Sequence, residues 1–236
     1  MSTKRSYGEA CRFAHALDVV GERWALLVVR ELMLGPKRYT DLREGLPRAS
    51  TNILAERLRE LERGGVVRRR KLPPPVGVSV YELTEWGAEL EPIVTRLGAW
   101  GARSPFPPDA ETIGADSMVL ALRSLFDPEA AGEMVATYEL RLGEDLFHVD
   151  VGDWEIELHR GAAEDADAAI ETDPGTLAAV LTGQLPLDDA LESGAVAIEG
   201  GKRAIRSFLK LFPMPEPCRS EGAGEEVAAE AVGAAS

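Results

Sequence analysis

Arg68-Arg69-Arg70-Lys71 places four positive charges in succession, and shortly before them Asn52, Ala55, Glu56, Arg59 and Arg63 fall on one polar, partly basic face at helical spacing. Lys and Arg neutralise phosphate oxygens, and Asn can pair bidentately with adenine in a major groove. The chemistry on offer is recognition of duplex nucleic acid. A basic run can also be a solvated strand edge that blocks pairing, but this one follows the polar helix directly. Cys11 is the second reactive group. Arg12 beside it favours the thiolate that an oxidant sensor needs, whereas a cysteine is by default a small buried hydrophobe. His15, His148 and His159 are scattered and pair with no cysteine at ligand spacing, so neither a metal nor a cofactor is expected. Asp150, Asp153, Glu155 and Glu157 alternate with apolar residues, which puts them on the wet face of strands. No catalytic residue is assigned, and the expected protein is not an enzyme.

The elements that must position these groups follow from periodicity. Phe13, Ala14, Leu17 and Val20, then Trp24, Leu27, Val28 and Leu32, read as two amphipathic helices. A short helix over Tyr39 to Gly45, with Thr40 near its N-cap, leads through Leu46-Pro47 to a longer one. That helix has Ser50 as N-cap, an apolar stripe of Leu54, Leu58 and Leu61, and a stop at Gly64-Gly65. Val66 to Lys71 and Ser79 to Leu83 are strands joined by a Pro-rich turn, the hairpin of a winged helix. A last helix from Thr84 carries Leu90, Ile93, Leu97 and Trp100, more apolar surface than so small a unit can cover. A two-fold homodimer interface on these four residues is the expected use.

Charge divides the chain. Its net charge is -14, yet the first 104 residues hold 18 Lys and Arg against 13 Asp and Glu, while the remainder holds 8 against 27. The predicted organisation is a winged-helix DNA-binding and dimerisation domain at 1–104, a Pro-rich hinge at 105–114, a second domain at 115–213 and a disordered acidic tail at 214–236. The acidic second domain should project away from the DNA and act on it mechanically. No apolar run approaches the length of a membrane span, and no secretory segment is expected near the start, so the predicted location is cytoplasmic. Two cysteines more than 200 positions apart make no disulfide framework.

Within 7–103, the stretches CRFAHALDVVGERW, LLVVRELMLGPKRYTDLREGLP, STNILAERLRELERGGVVRR and YELTEWGAEL resemble the HxlR family of bacterial winged-helix transcription regulators. The resemblance implies dimers on pseudo-palindromic operators, without catalysis. By position it implies DNA contacts from Arg38, Ser50, Thr51, Asn52 and Arg59, with Arg68, Arg69 and Arg70 leading into the wing. Where the family has Pro-Pro-Arg-Val-Glu-Tyr, this chain has Val76-Gly77-Val78-Ser79-Val80-Tyr81, with no basic residue at the wing tip. Cys11 matches a position that senses oxidants in some members, with Arg12 in place of the usual proline.

The rest reads as α+β: a helix from Asp116 to Phe126, a short helix after Pro128, three alternating strands ending in Trp154, Ile156 and Leu158, then further strands and helices to Phe212. ETDPGTLAAVLTGQLPLDDALESGAVAIEGGKRAIRSFLKLF resembles the sterol carrier protein-2-like domain. That resemblance implies a mainly antiparallel sheet enclosing an apolar pocket for a small hydrophobic effector or lipid, for which Phe147, Trp154 and Ile156 are the candidate lining. The reading is a repressor modulated by that effector. The alternatives are a redox regulator switched through Cys11, and a lipid carrier or lipid-modifying protein with a degenerate helix-turn-helix.

Overall fold

The structure is a computed structural model, and it describes residues 6–75, 77–104 and 113–218. Four helices and a hairpin come first: α1 (Arg12–Val20), α2 (Ala25–Leu32), α3 (Tyr39–Gly45), α4 (Thr51–Arg63), β1 (Val67–Lys71) and β2 (Ser79–Leu83). Leu54, Leu58 and Leu61 of α4 lose essentially all their exposure against Val28, Val29 and Leu32 of α2 and Leu42 of α3. Removing each such side chain from water stabilises by about 1.5–3 kcal/mol. Ser50 caps α4 by accepting from the Ile53 N–H at 3.4 Å. Gly65, at φ +76°, turns the chain from α4 into β1, a conformation that costs glycine little. The start of α3 differs from expectation. Its N-cap is Arg38, whose backbone N–H is received by Asp41 at 3.0 Å, because a carboxylate in the first turn satisfies an otherwise unpaired donor. Lys37 and Tyr81 exchange both backbone hydrogen bonds, at 2.9 and 2.7 Å, and so tie the entry of α3 to the hairpin.

The single helix expected from Thr84 is two: α5 (Glu85–Ala88) and α6 (Glu91–Gly101). Pro92 supplies no N–H to the Ala88 carbonyl and so cannot continue α5; the chain turns at Glu89–Leu90 and restarts with Pro92 in the first turn of α6, where no donor is needed. Gly87 lets α5 close on the hairpin, since a Cβ there would lie 2.0 Å from the Val66 carbonyl oxygen.

A second set of elements surrounds a second core: α7 (Ala115–Leu125), α8 (Pro128–Ala131), β3 (Ala136–Leu142), β4 (Asp145–Gly152), β5 (Glu155–Arg160), β6 (Ala168–Thr172), α9 (Pro174–Leu181), α10 (Leu187–Glu192), β7 (Ala197–Glu199) and α11 (Lys202–Lys210). The sheet runs β5-β4-β3-β6-β7 and is antiparallel except where β6 lies parallel to β3. Tyr138, Leu140, Leu142, Phe147, Val149, Val151 and Leu158 form its buried face, under Val119 and Leu122 of α7 and Ile205 and Phe208 of α11. The architecture is thus α+β, with a mixed sheet. Asp153 and Trp154, at φ +51° and +64°, are the two central residues of the β4–β5 turn. Right-handed strand twist favours left-handed residues there, which takes Trp154 out of the strand expected for it.

The two cores meet directly, where the sequence suggested only a hinge. Residues 105–112 of that hinge lie outside the described residues. α7 packs on α6 where Gly98 admits Ser124, because a Cβ on Gly98 would sit 2.6 Å from the Ser124 hydroxyl oxygen. Arg123 pairs with Glu91 across the same seam. Beside it runs a chain of charges: Glu31 accepts from Arg30 at 2.7 Å and from Lys37 at 2.6 Å, Lys37 also pairs with Asp116, and Asp116 with Arg160, which holds Asp145 at 2.6 Å. Glu31 is only 1% exposed. Burial raises the pKa of its carboxyl, but Lys37 and Arg30 outweigh that, and the group is held below the ordinary carboxylate value. The start of the tail is likewise fastened: the Cys218 N–H donates to the Arg103 carbonyl at 2.8 Å, and Arg103 donates to the Glu216 carbonyl. The rest of the tail predicted to be disordered, from 219 on, lies outside the described residues.

Candidate nucleic-acid interface

α4 presents Asn52, Arg59 and Arg63 to solvent on the side away from the Leu54, Leu58 and Leu61 stripe, with Thr51 exposed at its first turn. Its first turn is held firmly, because the Tyr39 hydroxyl of α3 donates to the Thr51 carbonyl at 2.9 Å. A helix of 13 residues with one face packed and the other polar has the dimensions to enter a major groove about 12 Å wide. Arg63 donates to the Arg59 carbonyl at the helix end, and Arg57 is turned inward to pair with Glu60. Of the residues singled out, Ser50 serves as the cap and Thr51 opens the helix, while Asn52 and Arg59 share the open face.

Strand geometry divides the basic run into two pairs. Arg68 and Arg70 lie on one side of β1, where both donate to Glu82 of β2 at 2.7 and 2.8 Å, and Arg70 with Arg68 holds that carboxyl below its ordinary value. Arg69 and Lys71 lie on the other side, the Arg69 guanidinium 5.9 Å from the centre of the Tyr81 ring. All four bases are exposed. Glu82 therefore offsets part of the charge on the side of Arg68 and Arg70. Arg38, also exposed, is clamped to Asp41 at 2.9 Å and sits between the hairpin bridge and α3.

The remaining candidates are placed less uniformly. On α6, Ile93 (57% exposed), Leu97 (47%) and Trp100 (73%) form an uncovered apolar stripe, whereas Leu90 and Val94 turn inward against the first core. Leu90 is thus corrected from interface to packing residue. Phe13 of α1 is exposed as well. Cys11 is half-buried at the N-terminus of α1, where the backbone N–H groups of Ala14 and Phe13, rather than Arg12, lower its thiol pKa. Phe147, Trp154 and Ile156 do not come together around a cavity. Phe147 is sealed in the core beneath the Arg160 guanidinium at 4.8 Å, Ile156 is partly buried, and Trp154 stands half-exposed at the β4–β5 turn. An open cleft of about 360 Å³ lies instead at the seam of α6 and α7, lined by Ala88, Pro92, Thr95, Arg96, Glu91 and Arg123.

Sequence reasoning missed two groupings. The buried Glu31–Lys37–Asp116 contact links residues 85 positions apart, and no local pattern signals it. His148 and His159, read as scattered, are directly opposed on β4 and β5 with ring centres 4.8 Å apart; the alternation of each strand, aligned through the Asp153-Trp154 turn, carried that signal. No helix among the described residues is long and apolar enough to cross a membrane.

Comparison with known proteins agrees with the architecture of the first core. The HxlR-like helix-turn-helix family profile matches residues 19–106. The uncharacterised HTH-type transcriptional regulator YvaP of Bacillus subtilis (strain 168) is 40% identical over 94 residues, covering 39% of this chain and 86% of that protein. The HTH-type transcriptional regulator YodB of the same organism is 38% identical over 94 residues, covering 40% and 84%. The solved reduced form of YodB from B. subtilis, 36% identical, covers 43% of this chain and all of its own, with a TM-score of 0.37. With the residues of α2 through α6 aligned to proteins it covers almost end to end, the chain belongs to the HxlR-like helix-turn-helix family.

Proposed function

We propose that the chain is a dimeric transcriptional repressor that binds a pseudo-palindromic operator, with α4 of each copy in a major groove. The observation that carries this reading is the open polar face of α4, fixed by the Tyr39 contact and flanked by exposed bases of the hairpin. Thr51, Asn52 and Arg59 are the base-reading and groove-edge residues; Arg38, Arg68, Arg69 and Arg70 contact phosphates; Ile93, Leu97 and Trp100 form the dimer interface. The working units are a DNA-binding domain at 1–104, a hinge at 105–114 and a second domain at 115–213.

The two classes of contact separate by experiment. Arg69→Ala with Arg70→Ala should weaken binding to every duplex and flatten the plot of log affinity against log salt by about 0.9 for each phosphate no longer neutralised. Asn52→Ala should leave that slope nearly unchanged and relax base preference, by about 1–3 kcal/mol at the position it reads. Equal losses on cognate and random duplexes for Asn52→Ala would remove it from base reading, and an unaltered slope would take the hairpin off the DNA.

The second domain, which resembles the sterol carrier protein-2-like fold in its helix, strand and helix order, is the sensing module for a small apolar effector. Because Phe147 is sealed, such a ligand acts only by binding an opened arrangement better than the closed one. The Arg160–Asp116–Lys37 chain gives that arrangement a route to the hairpin and α3. A redox reading is favoured by one observation: the thiol of Cys11 is shifted toward the thiolate at the start of α1. If it governs binding, mild oxidation lowers operator affinity in the native chain and in Cys218→Ser but not in Cys11→Ser.

A further inference from the structure

We propose that the solvent face of the β3–β4–β5 sheet carries a site for a late first-row divalent cation of the Zn2+, Ni2+ or Co2+ type, held by His148 Nε2, His159 Nε2 and Asp150 Oδ2. The three come from adjacent antiparallel strands. His148 and His159 are directly opposed, and Asp150 is two residues further along β4, so the pleat puts all three on one face. Their ligand atoms lie within 4.8 Å of one another, with Asp150 Oδ2 3.7 Å from His148 Nε2 and 3.8 Å from His159 Nε2. Ligands around a tetrahedral ion with bonds of about 2.0–2.1 Å stand roughly 3.3 Å apart. Closing that difference requires the two imidazoles, now stacked with planes 25° apart, to rotate so that both Nε2 lone pairs converge beside Asp150.

The outer contacts orient these groups for a cation. His148 Nδ1 is 3.2 Å from the Gly161 carbonyl, an acceptor, so Nδ1 carries the proton and the Nε2 lone pair is turned toward Asp150. The Thr137 hydroxyl donates to Asp150 Oδ1 at 2.6 Å and leaves Oδ2 facing the imidazoles. Glu157 Oε2 is 3.2 Å from His159 Nε2 and is placed to become a fourth ligand once the neutral ring carries its proton on Nδ1. Such backbone and hydroxyl contacts are those that fix the tautomer and direction of metal-bound histidine and carboxylate. Two imidazoles with one carboxylate suit transition metals rather than Ca2+ or Mg2+, which take oxygen ligands. His159 and Asp150 are nearly half exposed, so the ion would exchange with solvent while the strands keep its ligands in register. The proposal stands independently of whether the second domain governs operator binding.

The test is titration of the full chain, carrying Cys11→Ser and Cys218→Ser, with Co2+, read by its ligand-field absorption and by competition with a chelator of known affinity. One Co2+ per chain is expected, undiminished in His15→Ala. His159→Ala should weaken it at least 100-fold, and Thr137→Val about 10- to 100-fold, as removal of an orienting hydrogen bond does. His159 is exposed, so that variant should keep the circular dichroism of the parent; His148→Gln provides the second ligand deletion. Absence of a stoichiometric Co2+ site, or binding unchanged in both His159→Ala and His148→Gln, would overturn the proposal.

Discussion

If α6 forms the proposed dimer interface, Leu97→Glu should give a folded monomer and lower operator affinity by about two to three orders of magnitude. Leu97 stands on the exposed stripe of α6, so the substitution leaves the isolated chain intact, and its circular dichroism and melting should stay close to those of the parent. In a two-fold interface the same residue enters from both copies, and each new carboxylate would be buried without a partner. Such a burial costs about 3–5 kcal/mol, and each 1.4 kcal/mol is a factor of ten. Leu90→Ala provides the contrast. Leu90 packs inward, so its truncation should lower stability by removing apolar packing from the first core, while the remaining folded protein still dimerises. Sedimentation of the two variants at micromolar concentration separates the outcomes, and a Leu97→Glu dimer as tight as the parent would place the interface elsewhere.

Lys37→Ala should be the most destabilising single change at the seam between the two cores. Lys37 is the cation between Glu31 and Asp116, and its loss leaves two largely buried carboxylates facing one another. Removing the sole partner of a buried charge costs about 3–5 kcal/mol, which is an upper bound here because Glu31 keeps Arg30 and Asp116 keeps Arg160. In a chain of this size that ceiling corresponds to a fall in melting temperature of roughly 6–20 °C. The sign of the pH dependence follows from Glu31. Its folded pKa lies below the ordinary carboxyl value of about 4.3, so its charge stabilises the native fold above that value and ceases to do so as pH falls through the folded pKa. In Lys37→Ala the burial that raises the pKa of Glu31 is offset by Arg30 alone. The deficit relative to the parent should therefore be largest near neutral pH and shrink in acid. Combining Lys37→Met with Glu31→Gln and Asp116→Asn should recover most of the loss, because removing a buried charge set altogether is far milder than orphaning its members. Thermal melts between pH 3 and 7 measure both effects, and a Lys37→Ala melt within 2 °C of the parent at pH 7 would show that the seam does not depend on this pair.

The parts of the fold legible from sequence were those with a local cause. The Leu54, Leu58 and Leu61 stripe, the Ser50 cap and the alternation of Tyr138 to Leu142 each follow from one period and one capping group. The interruption before Pro92 was missed, because the apolar spacing of Trp86 to Trp100 runs through it, although its cause, a proline without a donor, is local. Trp154 was misplaced because apolar alternation continues through the turn, where strand twist rather than hydrophobicity sets the backbone. The site divided in the same manner. The open face of α4 follows from helical geometry and the division of Arg68 to Lys71 over two sides from strand alternation, but which side is partly neutralised depends on the pairing that places Glu82 opposite Arg68. Nothing local could reveal Asp116 reaching Lys37, or that the apolar side chain of Phe147 fills the core rather than lining a space.

The measurement that tests the central claim most directly is selection of the duplexes that the full-length protein retains from a random pool at physiological salt. The account predicts a pseudo-palindrome whose half-sites are centred about one helical turn, or a multiple of it, apart, with Asn52→Ala losing preference at symmetric positions and Leu97→Glu losing the paired sites. Recovery of no enriched sequence, or of one asymmetric site indifferent to both substitutions, would contradict it.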